Sequence, residues 1–545
     1  MSSLPWRTAA QRNTWPRLLM STPQLLALLC VYWALSANRA FLSGAQSALQ
    51  AGPARVAGLI ALLAVLHFLM LAPFVWHRFA KGLLAGLALV AALASHFTQQ
   101  LGAVLDPSMM RNALHTDWPE ARELLTPSLW LHTLVLAAPV WLLLAQVQLR
   151  AARPLRAAGA WAMALGLGVL LLALQFQALA PLMRNHKSLR YQIVPAAPLW
   201  SLPRSLVVHG SAAPREREHI GLDARPGPSW VPGGKPRLLV LVVGETVRAA
   251  SWGTRSLPDG KTRSTTPLLD AEPDLLRWPA VQACGTDTET SLPCMFAPVG
   301  RRDYDEDRIR HQQSLLHVLA RAGVKLKWLD NQSGCKGVCE GLPAETLSCH
   351  GGRCLDDALF DRIPEAIERA RREGGTQLLV LHMLGNHGPA YHRRVPEGFA
   401  PYTPACRNDD LSRCSQAEVA NAFDNALRHA DALLAQAWQR LRAAQDDLDT
   451  ALLFIPDHGE SLGEHGLYLH GMPYAVAPRE QTEVPMLLGI SPAWARARQW
   501  KPECLAGLPR QATRHDHLFH TLLSLLDVQT TLQEPVWDLL QGCRA

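Results

Sequence analysis

The pattern of apolar and polar positions divides the chain into two halves. Between residues 18 and 183 long uncharged segments alternate with short polar loops, whereas from Lys235 onward short apolar runs alternate with polar segments. Five uncharged segments are long enough to cross about 30 Å of hydrocarbon at roughly 20 residues each. They cover residues 18–37, 56–76, 83–101, 129–147 and 157–183. The pattern predicts an all-α membrane domain of five helices over residues 1–185.

The first of these segments is the least apolar, and a cleaved signal peptide is the alternative there. Four more segments follow it, however, and no small-residue cleavage site is evident. Basic residues in alternate short loops predict which side is cytoplasmic. They are Arg7, Arg12, Arg17, Arg78, Lys81, Arg150, Arg153 and Arg156. Five spans then place the C-terminal half outside the cytoplasm.

Cysteine usage points to the same compartment. Of eleven cysteines, ten lie after residue 280. The close pairs are Cys284/Cys294, Cys335/Cys339, Cys349/Cys354 and Cys406/Cys414. Close pairs in loops predict short disulfides, which persist in an oxidising compartment. The alternative is a thiolate metal site, but the CxxC spacing typical of structural zinc is absent. Whether Cys504 pairs with Cys543 stays open.

The two halves are joined by a proline-rich stretch within residues 186–236. Residues 195–236 contain eight prolines with scattered arginine and glycine. This composition predicts an extended, semi-rigid linker. The net charge of +7 is small for 545 residues, and the basic residues form no stripe interleaved with aromatic ones. The composition therefore argues against a nucleic-acid partner.

The C-terminal half, residues 237–545, has the alternation of a doubly wound α/β domain. Apolar runs predict buried, mostly parallel strands at residues 238–243, 326–329, 378–381 and 451–455. Helical patterns lie between them, at residues 308–322 and 417–441. Ligands of such sheets bind beyond the carboxyl ends of the strands. The residues that follow each run are therefore the first place to look for chemistry.

Carboxylates and imidazoles follow three of these runs. Glu245 follows the first, His382 and His387 follow the third, and Asp457 and His458 follow the last. Zinc accepts carboxylate oxygens together with imidazole nitrogen, so Glu245, Asp457 and His458 could form one metal site. Each residue also has an ordinary structural role available: Glu245 could cap a helix, Asp457 could orient His458, and His387 could be a loop histidine.

Two further stretches carry polar groups in a suggestive order. The loop between Cys284 and Cys294 contains Thr286, Thr288 and Thr290, any of which metal coordination could activate as a nucleophile. The alternative is a surface loop closed by a disulfide. In the external loop between the third and fourth spans, Asn112, Thr116 and Glu120 recur every four residues. On one helix they would share a face, either solvated at the membrane surface or binding a lipid headgroup.

Four motifs resemble those of the phosphoethanolamine transferases that modify lipid A in Gram-negative bacteria. They are VVGET at residues 242–246, CGTDTETSLPCMF at 284–296, HMLGNHGP at 382–389 and DHGESLGEHGLYLHGMP at 457–473. The resemblance implies a catalytic domain of alkaline-phosphatase or sulfatase-like fold, held in the periplasm by spans in the inner membrane. It implies Thr288 as nucleophile and one zinc ion, with a second in some members.

The resemblance also implies roles for individual residues. It places zinc on Glu245, Thr288, Asp457 and His458, and an outer phosphate group or second zinc beside His387 and His470. Substrate-binding positions would be Asn112, Thr116, Glu120 and Lys336. The sequence departs from the family pattern in the more acidic stretch Asp287, Glu289 and Thr290, and in His465, where asparagine is common.

The implied reaction moves phosphoethanolamine from phosphatidylethanolamine to Thr288 and then to lipid A. It would lower the negative surface charge and weaken binding of cationic peptides such as polymyxin. The enzyme would act as a monomer. Other acceptors, such as core heptose or a periplasmic glucan, and phosphoglycerol transfer are the alternatives. A non-enzymatic transporter or sensor is a remote one, because the spans carry no charged residues and no internal repeat.

Overall fold

The structure, a computed structural model, describes residues 18–75, 77–151, 153–210, 217–257, 260–349 and 354–544. Predictions that rest on Arg7, Arg12, Arg17 and Trp76 lie outside these ranges. The chain forms two compact units. One comprises Met1–Asp106 and Pro127–Pro203, and the other comprises Pro107–Thr126 and Arg204–Ala545. The segment Pro107–Thr126, here called the arm, therefore belongs to the same unit as the C-terminal half.

The first 210 residues are mainly helical in their described part. The helices are α1 (Thr22–Ser36), α2 (Arg39–Leu49), α3 (Pro53–Leu71), α4 (Ala80–Gln100), α5 (Pro107–His115), α6 (Trp118–Leu124), α7 (Pro127–Gln146), α8 (Pro154–Asn185) and α9 (Ala196–Gly210). Two short strands, β1 (Leu18–Ser21) and β2 (Val147–Arg150), pair in parallel.

Within the described ranges, four helices are long and apolar enough to span a membrane: α3, α4, α7 and α8. The count becomes five if α1 and α2, which are bent by 60°, form one broken span. The first predicted span begins later than expected because the Ser21 amide donates to Gln24 Oε1 (3.0 Å), which fixes the start of α1 at Thr22. The prediction of five spans is thus neither excluded nor confirmed.

The prediction of an extended linker is wrong for its first part, because α9 covers Ala196–Gly210. Pro198 falls in the first turn of α9, where a helix lacks an internal partner for the backbone N–H, so proline is tolerated there. The prediction failed because it treated residues 195–236 as one proline-rich stretch, although this stretch contains both α9 and the irregular chain that follows it.

The remaining elements lie in the second unit. The helices are α10 (Pro267–Asp270), α11 (Thr288–Met295), α12 (Glu306–His311), α13 (Leu315–Arg321), α14 (Asp357–Phe360), α15 (Ile363–Glu373), α16 (Gln416–Ala443), α17 (Arg479–Thr482), α18 (Pro492–Ala497), α19 (Pro502–Gly507) and α20 (Asp516–Leu525). The strands are β3 (Arg225–Pro226), β4 (Arg237–Gly244), β5 (Thr254–Ser256), β6 (Thr262–Ser264), β7 (Leu276–Gln282), β8 (Lys325–Asp330), β9 (Ala344–Thr346), β10 (Thr376–His382), β11 (Asp449–Pro456), β12 (Ser461–Leu462), β13 (Tyr468–Leu469), β14 (Glu483–Ile490), β15 (Thr513–Arg514) and β16 (Val528–Gln529).

In the described part of the chain, eight strands form one sheet in the order β15-β7-β14-β11-β4-β10-β8-β9. The four predicted strands are confirmed as β4, β8, β10 and β11, and they are mutually parallel. Strand β14 runs antiparallel to β11 and pairs with β7. Buried apolar clusters cover both faces of the sheet, with α13 and α20 on one face and α15 and α16 on the other. This is the predicted doubly wound arrangement, with an antiparallel extension at one side.

The predicted helix at residues 417–441 is confirmed as α16, but the predicted helix at 308–322 is wrong as a single element. It is divided into α12 and α13, because Ser314 accepts a hydrogen bond from the Leu316 amide (3.1 Å) and starts a new helix.

The four predicted disulfides are confirmed. They are Cys284–Cys294, Cys335–Cys339, Cys349–Cys354 and Cys406–Cys414. Cys504 also pairs with Cys543, a pairing that the sequence left open. Of the eleven cysteines, all of which lie in the described ranges, only the buried Cys30 is free. The alternative of a thiolate metal site is therefore wrong, because the ten cysteines of the second unit are all bonded to one another.

Candidate active site

Three buried side chains meet at the carboxyl ends of the central strands. Gly244 at the end of β4 pairs with Pro456 at the end of β11, so Glu245 and Asp457 leave the sheet side by side. Glu245, Asp457 and His458 are fully buried, and one potential ligand atom from each lies within 4.8 Å of the others. His458 Nε2 is 3.3 Å from Glu245 Oε1 and 3.4 Å from Asp457 Oδ2. The polar residues that the sequence places after separate strands thus form one cluster.

Thr288 completes this cluster. It is the first residue of α11, and its Oγ1 lies 3.2 Å from each carboxylate oxygen of Glu245 and 3.4 Å from His458 Nε2. Thr288 as a whole is half-buried, in contrast to the three fully buried residues of the cluster. Among the three threonines that the sequence left open, Thr286 instead donates to the Met472 carbonyl (2.6 Å).

The loop that carries Thr288 is held at several points. The Cys284–Cys294 disulfide closes it, and Asp287 Oδ1 accepts a hydrogen bond from the Thr290 amide (2.9 Å), which caps α11. Ser291 Oγ donates to the Asp457 carbonyl at 2.5 Å. The hydroxyl of Thr288 is therefore presented from a helix start fixed against the loop that follows β11.

The ionisation of the cluster reflects two carboxylates sharing one buried imidazole. Burial alone would raise the pKa of Glu245, but the hydrogen bond and charge of His458 hold that pKa well below its usual range. Burial and the neighbouring Glu245 raise the pKa of Asp457 to about 7. For His458 burial acts downward, yet the charges of Asp457 and Glu245 raise its pKa to about 10. The cluster therefore favours a positive charge at its centre.

The same residues fit a divalent metal ion. Asp457 Oδ2 is buried and has no hydrogen-bond partner among the described residues, which is costly unless a cation meets it. His458 Nδ1 lies 2.9 Å from the Gly459 carbonyl, so in neutral imidazole the proton sits on Nδ1 and Nε2 presents a lone pair toward the carboxylates. Two carboxylates, an imidazole nitrogen and a hydroxyl form a ligand set suited to zinc.

Two more histidines lie beside the cluster. The ring of His470 is 4.5 Å from that of His458 and 5.1 Å from that of His387. His470 Nδ1 lies 3.3 Å from Oε2 of Glu460, which is fully buried. Burial would lower the pKa of His470, but Glu460 raises it through its charge and hydrogen bond. The two outer histidines expected from the motifs thus lie next to each other, and His470 lies beside His458, which in turn contacts the Thr288 hydroxyl.

The His387 loop approaches the cluster through its backbone. The Asn386 amide donates to the Glu245 carbonyl oxygen at 3.0 Å. A Cβ at Gly385 would lie 2.6 Å from that oxygen, and Gly385 has a φ of +51°. Glycine is therefore required at this position, both for the close approach and for the left-handed backbone.

The arm lies against this side of the site. His387 Nε2 is 3.4 Å from Glu120 Oε1, and a Cβ at Gly471 would lie 2.8 Å from Met109 Cε and 3.7 Å from Asn112 Nδ2. The prediction that Asn112, Thr116 and Glu120 share one helix is wrong. Asp117 accepts a hydrogen bond from the Glu120 amide (3.0 Å) and starts a second helix, so Thr116 lies in the break between α5 and α6.

Lys336 and His465 complete the polar residues named from the sequence. Lys336 lies in the loop closed by Cys335–Cys339, has a left-handed φ of +48°, and places Nζ 3.7 Å from Glu289 Oε2. His465 is exposed on the turn between β12 and β13. The His465 imidazole is therefore exposed to solvent.

Two of the predicted disulfides are structural links and supply no ligand to the cluster. In Cys349–Cys354 and Cys406–Cys414 the sulfurs are bonded to each other. The Cys354 carbonyl accepts a hydrogen bond from Asn331 Nδ2 (2.9 Å), and Asn331 Oδ1 accepts one from the Leu384 amide (2.8 Å) in the loop that carries His387. Cys414 directly precedes Ser415, whose hydroxyl caps the start of α16. Cys354 and Cys414 thus support neighbouring loops.

Sequence reasoning missed Gln332. Its amide nitrogen lies 3.2 Å from Glu245 Oε2, 2.8 Å from His382 Nε2 and 2.7 Å from the Met383 carbonyl. It steadies the second oxygen of the Glu245 carboxylate. The signal was its position, because Gln332 follows the end of strand β8 by two residues and so lies, like Glu245, at the carboxyl ends of the parallel strands.

Comparison with known proteins agrees with this geometry. The sulfatase family model matches residues 237–528, and the model described as phosphoethanolamine transferase EptA/EptB matches residues 63–209. The chain is 35% identical to phosphoethanolamine transferase EptA of Salmonella typhimurium over 87% of each protein. It is 32% identical to phosphatidylethanolamine transferase Mcr-2 of Escherichia coli over 95% of this chain and 97% of that protein.

A solved full-length structure is also similar. The integral membrane protein lipooligosaccharide phosphoethanolamine transferase A (EptA) from Neisseria meningitidis superimposes with a TM-score of 0.89 at 31% identity, over 97% of this chain and 99% of that one. The motif-based assignment is confirmed, and the chain belongs to the EptA/EptB family of phosphoethanolamine transferases, which join a membrane domain to a sulfatase-like catalytic domain.

Proposed function

We propose that this transferase moves phosphoethanolamine from phosphatidylethanolamine to lipid A through a covalent intermediate on Thr288, with zinc as its metal. The observation that carries the proposal is the Thr288 hydroxyl, placed 3.2 Å from both Glu245 oxygens beside two further metal-type ligands. The donor is supported by the likeness to Mcr-2, a phosphatidylethanolamine transferase. The acceptor is supported by a 30% identical E. coli relative, Kdo(2)-lipid A phosphoethanolamine 7''-transferase, matched over 53% of this chain.

Zinc would be held by Glu245, Thr288, Asp457 and His458. When bound, it supplies positive charge that favours the ionised hydroxyl and offsets the charge on the phosphoryl oxygens. In the donor step, Thr288 Oγ1 bonds to phosphorus as the bond from phosphorus to the glycerol oxygen breaks. The Thr288 hydroxyl is oriented by its hydrogen bond to Glu245 and loses its proton to solvent as the bond to phosphorus forms, and the departing diacylglycerol oxygen takes up a proton from solvent.

The outer histidines serve the second step. A phosphate oxygen of lipid A attacks the phosphothreonine, the bond between phosphorus and Thr288 Oγ1 breaks, and the hydroxyl regains a proton. His470, oriented by Glu460 at 3.3 Å, and His387, beside Glu120 at 3.4 Å, are placed to stabilise phosphoryl charge or to transfer a proton.

The arm and Lys336 would hold the headgroup. Glu120 offers a carboxylate to the ammonium of ethanolamine, with Asn112 and Thr116 on the same stretch, and Lys336 offers an ammonium to the phosphate. Both substrates are membrane lipids. Tethering the catalytic unit to spans in the inner membrane, on the periplasmic side, raises its effective concentration at the lipid surface. The disulfides agree with that oxidising compartment.

The test uses the full-length protein with a labelled headgroup on phosphatidylethanolamine. Thr288→Ala should abolish both diacylglycerol release and covalent labelling, while Thr290→Ala, on the same helix, should leave both intact. Covalent labelling of the Thr288→Ala protein would refute the assignment. Zinc dependence is tested separately, by chelation and re-addition of single metals.

The acceptor is tested by mass spectrometry of lipid A from cells with and without the protein. Added phosphoethanolamine on lipid A is expected, together with lower susceptibility to polymyxin. Wild-type release of diacylglycerol without any change in lipid A would instead favour another envelope acceptor.

A further inference from the structure

Glu289 occupies an unusual position, one residue after the proposed nucleophile. Its side chain is 11% exposed and is surrounded by nitrogen donors from three elements. Arg310 Nη1 lies 2.9 Å and His115 Nδ1 3.3 Å from Oε1, and Lys336 Nζ lies 3.7 Å from Oε2. Arg310 also donates to the Glu289 carbonyl at 3.3 Å. The carboxylate therefore joins the arm, the α12 helix and the Lys336 loop to the helix that starts at Thr288.

A second set of contacts, through Glu306, also connects the arm to Arg310. Arg310 Nε donates to Glu306 Oε1 at 3.1 Å, and Arg111 Nη2 of the arm donates to Glu306 Oε2 at 2.9 Å. Arg111 and His115 are four residues apart on α5, so they lie on the same face of that helix. Asn112 lies between them in the sequence. A chain of charges thus runs from the arm through Glu306 and Arg310 to Glu289.

Recognition of a substrate cation is a poor role for Glu289. The ammonium of ethanolamine would compete with Arg310, Lys336 and His115, all of which already face the carboxylate. Those neighbours also hold the pKa of Glu289 below its usual range, although burial alone would raise it. An anion already met by several donors is better suited to fixing their positions than to binding another cation.

Lys336 shows why such fixing matters. Its backbone is held in a left-handed conformation inside the Cys335–Cys339 loop, so the root of the side chain has little freedom. The four-carbon stem, however, can move the ammonium through several ångströms. The Glu289 carboxylate faces Nζ, and its helix also presents Thr288.

We propose that Glu289 is a positioning residue for the donor lipid, holding Lys336 and the headgroup-binding side of the arm in register with Thr288. The inference rests on the proposed function, because it assumes that Asn112, Thr116, Glu120 and Lys336 bind the headgroup. Glu289 itself touches neither the substrate nor the reacting atoms. Its loss should therefore weaken donor binding more than it slows the chemical step.

The test measures diacylglycerol release by the zinc-loaded, full-length protein over a range of fluorescent phosphatidylethanolamine concentrations in micelles. For Glu289→Ala, KM for the donor should rise about fivefold to tenfold, which is the effect of losing one charge-assisted hydrogen bond. Its kcat should stay within about twofold of the wild-type value. Glu289→Asp should recover most of the loss. Hydrogen exchange of amides in residues 107–116 should become faster, while that of strands β4 and β11 stays unchanged.

Glu373→Ala is the matched control. Glu373 forms an ion pair with Lys325 (3.2 Å). Lys325 is the first residue of β8, so this pair lies at the amino ends of the parallel strands, whereas the site lies at their carboxyl ends. Its KM and arm exchange should match the wild type. His115→Gln, which removes one of the three side chains that face the Glu289 carboxylate, keeps the test open should Glu289→Ala misfold, and it should give a smaller rise in KM.

The outcomes separate the two hypotheses. An unchanged KM in Glu289→Ala and His115→Gln, or a fall in kcat with KM unchanged, would overturn the positioning role while leaving the transfer reaction intact. Wild-type protein that releases no diacylglycerol would refute the proposed function, and the positioning role with it.

Discussion

Arg394 offers a sharp test of how the other end of the arm is held. Its Nη2 donates to Glu123 Oε2 of the arm at 2.5 Å, and its Nε donates to the His387 carbonyl at 2.8 Å. The side chains of Arg394 and Glu123 are only 4% and 10% exposed. One guanidinium therefore connects α6 of the arm to the loop that carries His387. We expect Arg394→Ala to release this part of the arm.

The size of the effect on stability follows from the two interactions that Arg394→Ala removes. Removing one member of a buried ion pair costs about 3–5 kcal/mol, because the other charge stays buried without compensation. Loss of the hydrogen bond that the charged guanidinium donates to the His387 carbonyl adds about 1.5–3 kcal/mol. Undocking of the arm returns both groups to water and avoids these costs. Since segments open locally at lower free energy than whole domains, Arg394→Ala should undock the arm and leave the sheet folded.

Hydrogen exchange of the full-length protein checks this expectation. Amides of residues 117–126 should exchange much faster in Arg394→Ala, and those of β4 and β11 should not change. The matched variant carries Arg394→Leu and Glu123→Leu together. It replaces the pair by apolar groups and leaves no buried charge, so it should protect the arm better than either single change. Additive effects of the two single substitutions would refute the reasoning, since a coupled pair should depart from additivity by about 2–3 kcal/mol.

Other predictions concern the helix cap, the C-terminal disulfide and the metal. Asp287→Ala removes the acceptor of the Thr290 amide and should cost about 1 kcal/mol, seen as a lower thermal midpoint that Asp287→Ser largely restores. Cys504→Ser opens the link to Cys543 across 39 residues, worth about 4 kcal/mol by chain entropy, and should lower the midpoint only under oxidising conditions. In the metal-free site the pKa of His458 is about 10 and that of Asp457 is about 7, so zinc must displace one proton between these pH values and two protons below pH 7. Zinc affinity should therefore fall as pH falls below 10 and fall more steeply below 7, and pH-independent titrations would contradict this.

The cluster of Glu245, Asp457 and His458 could be predicted from the sequence because it depends on regular structure. Apolar runs locate β4 and β11, and polar residues that follow adjacent parallel strands converge at one edge. The pairing of Gly244 with Pro456 then places Glu245 beside Asp457. The choice of Thr288 over Thr286 needed the family motif or the structure, since both hydroxyls lie in the same disulfide-closed loop.

Strands β7 and β14 were missed for a local reason. Each is interrupted by proline, at Pro279 and Pro485, and their pairing contains an irregularity between Val484 and Met486. In β7 the apolar residues are interrupted by Arg277 and Pro279, and in β14 the apolar run that follows Pro485 is only three residues long before Gly489. Their place in the sheet is decided by tertiary pairing. The break in the arm, in contrast, was readable, since Asp117 followed by Pro119 is a helix-start signal.

The position of the arm depends on partners far away along the chain. Among the described residues, the ion pairs that hold it include Arg111–Glu306, His115–Glu289, Glu120–His387 and Glu123–Arg394. Donor groups of α5 meet carboxylates of the catalytic domain, and carboxylates of α6 meet donors. A reversed arm would bring carboxylates against carboxylates, which is strongly unfavourable at partly buried sites. The order of charge along the arm, basic before acidic, is visible in the sequence. It determines the order in which Asn112, Thr116 and Glu120 lie along the site, because Glu289 contacts α5 and Arg394 contacts α6.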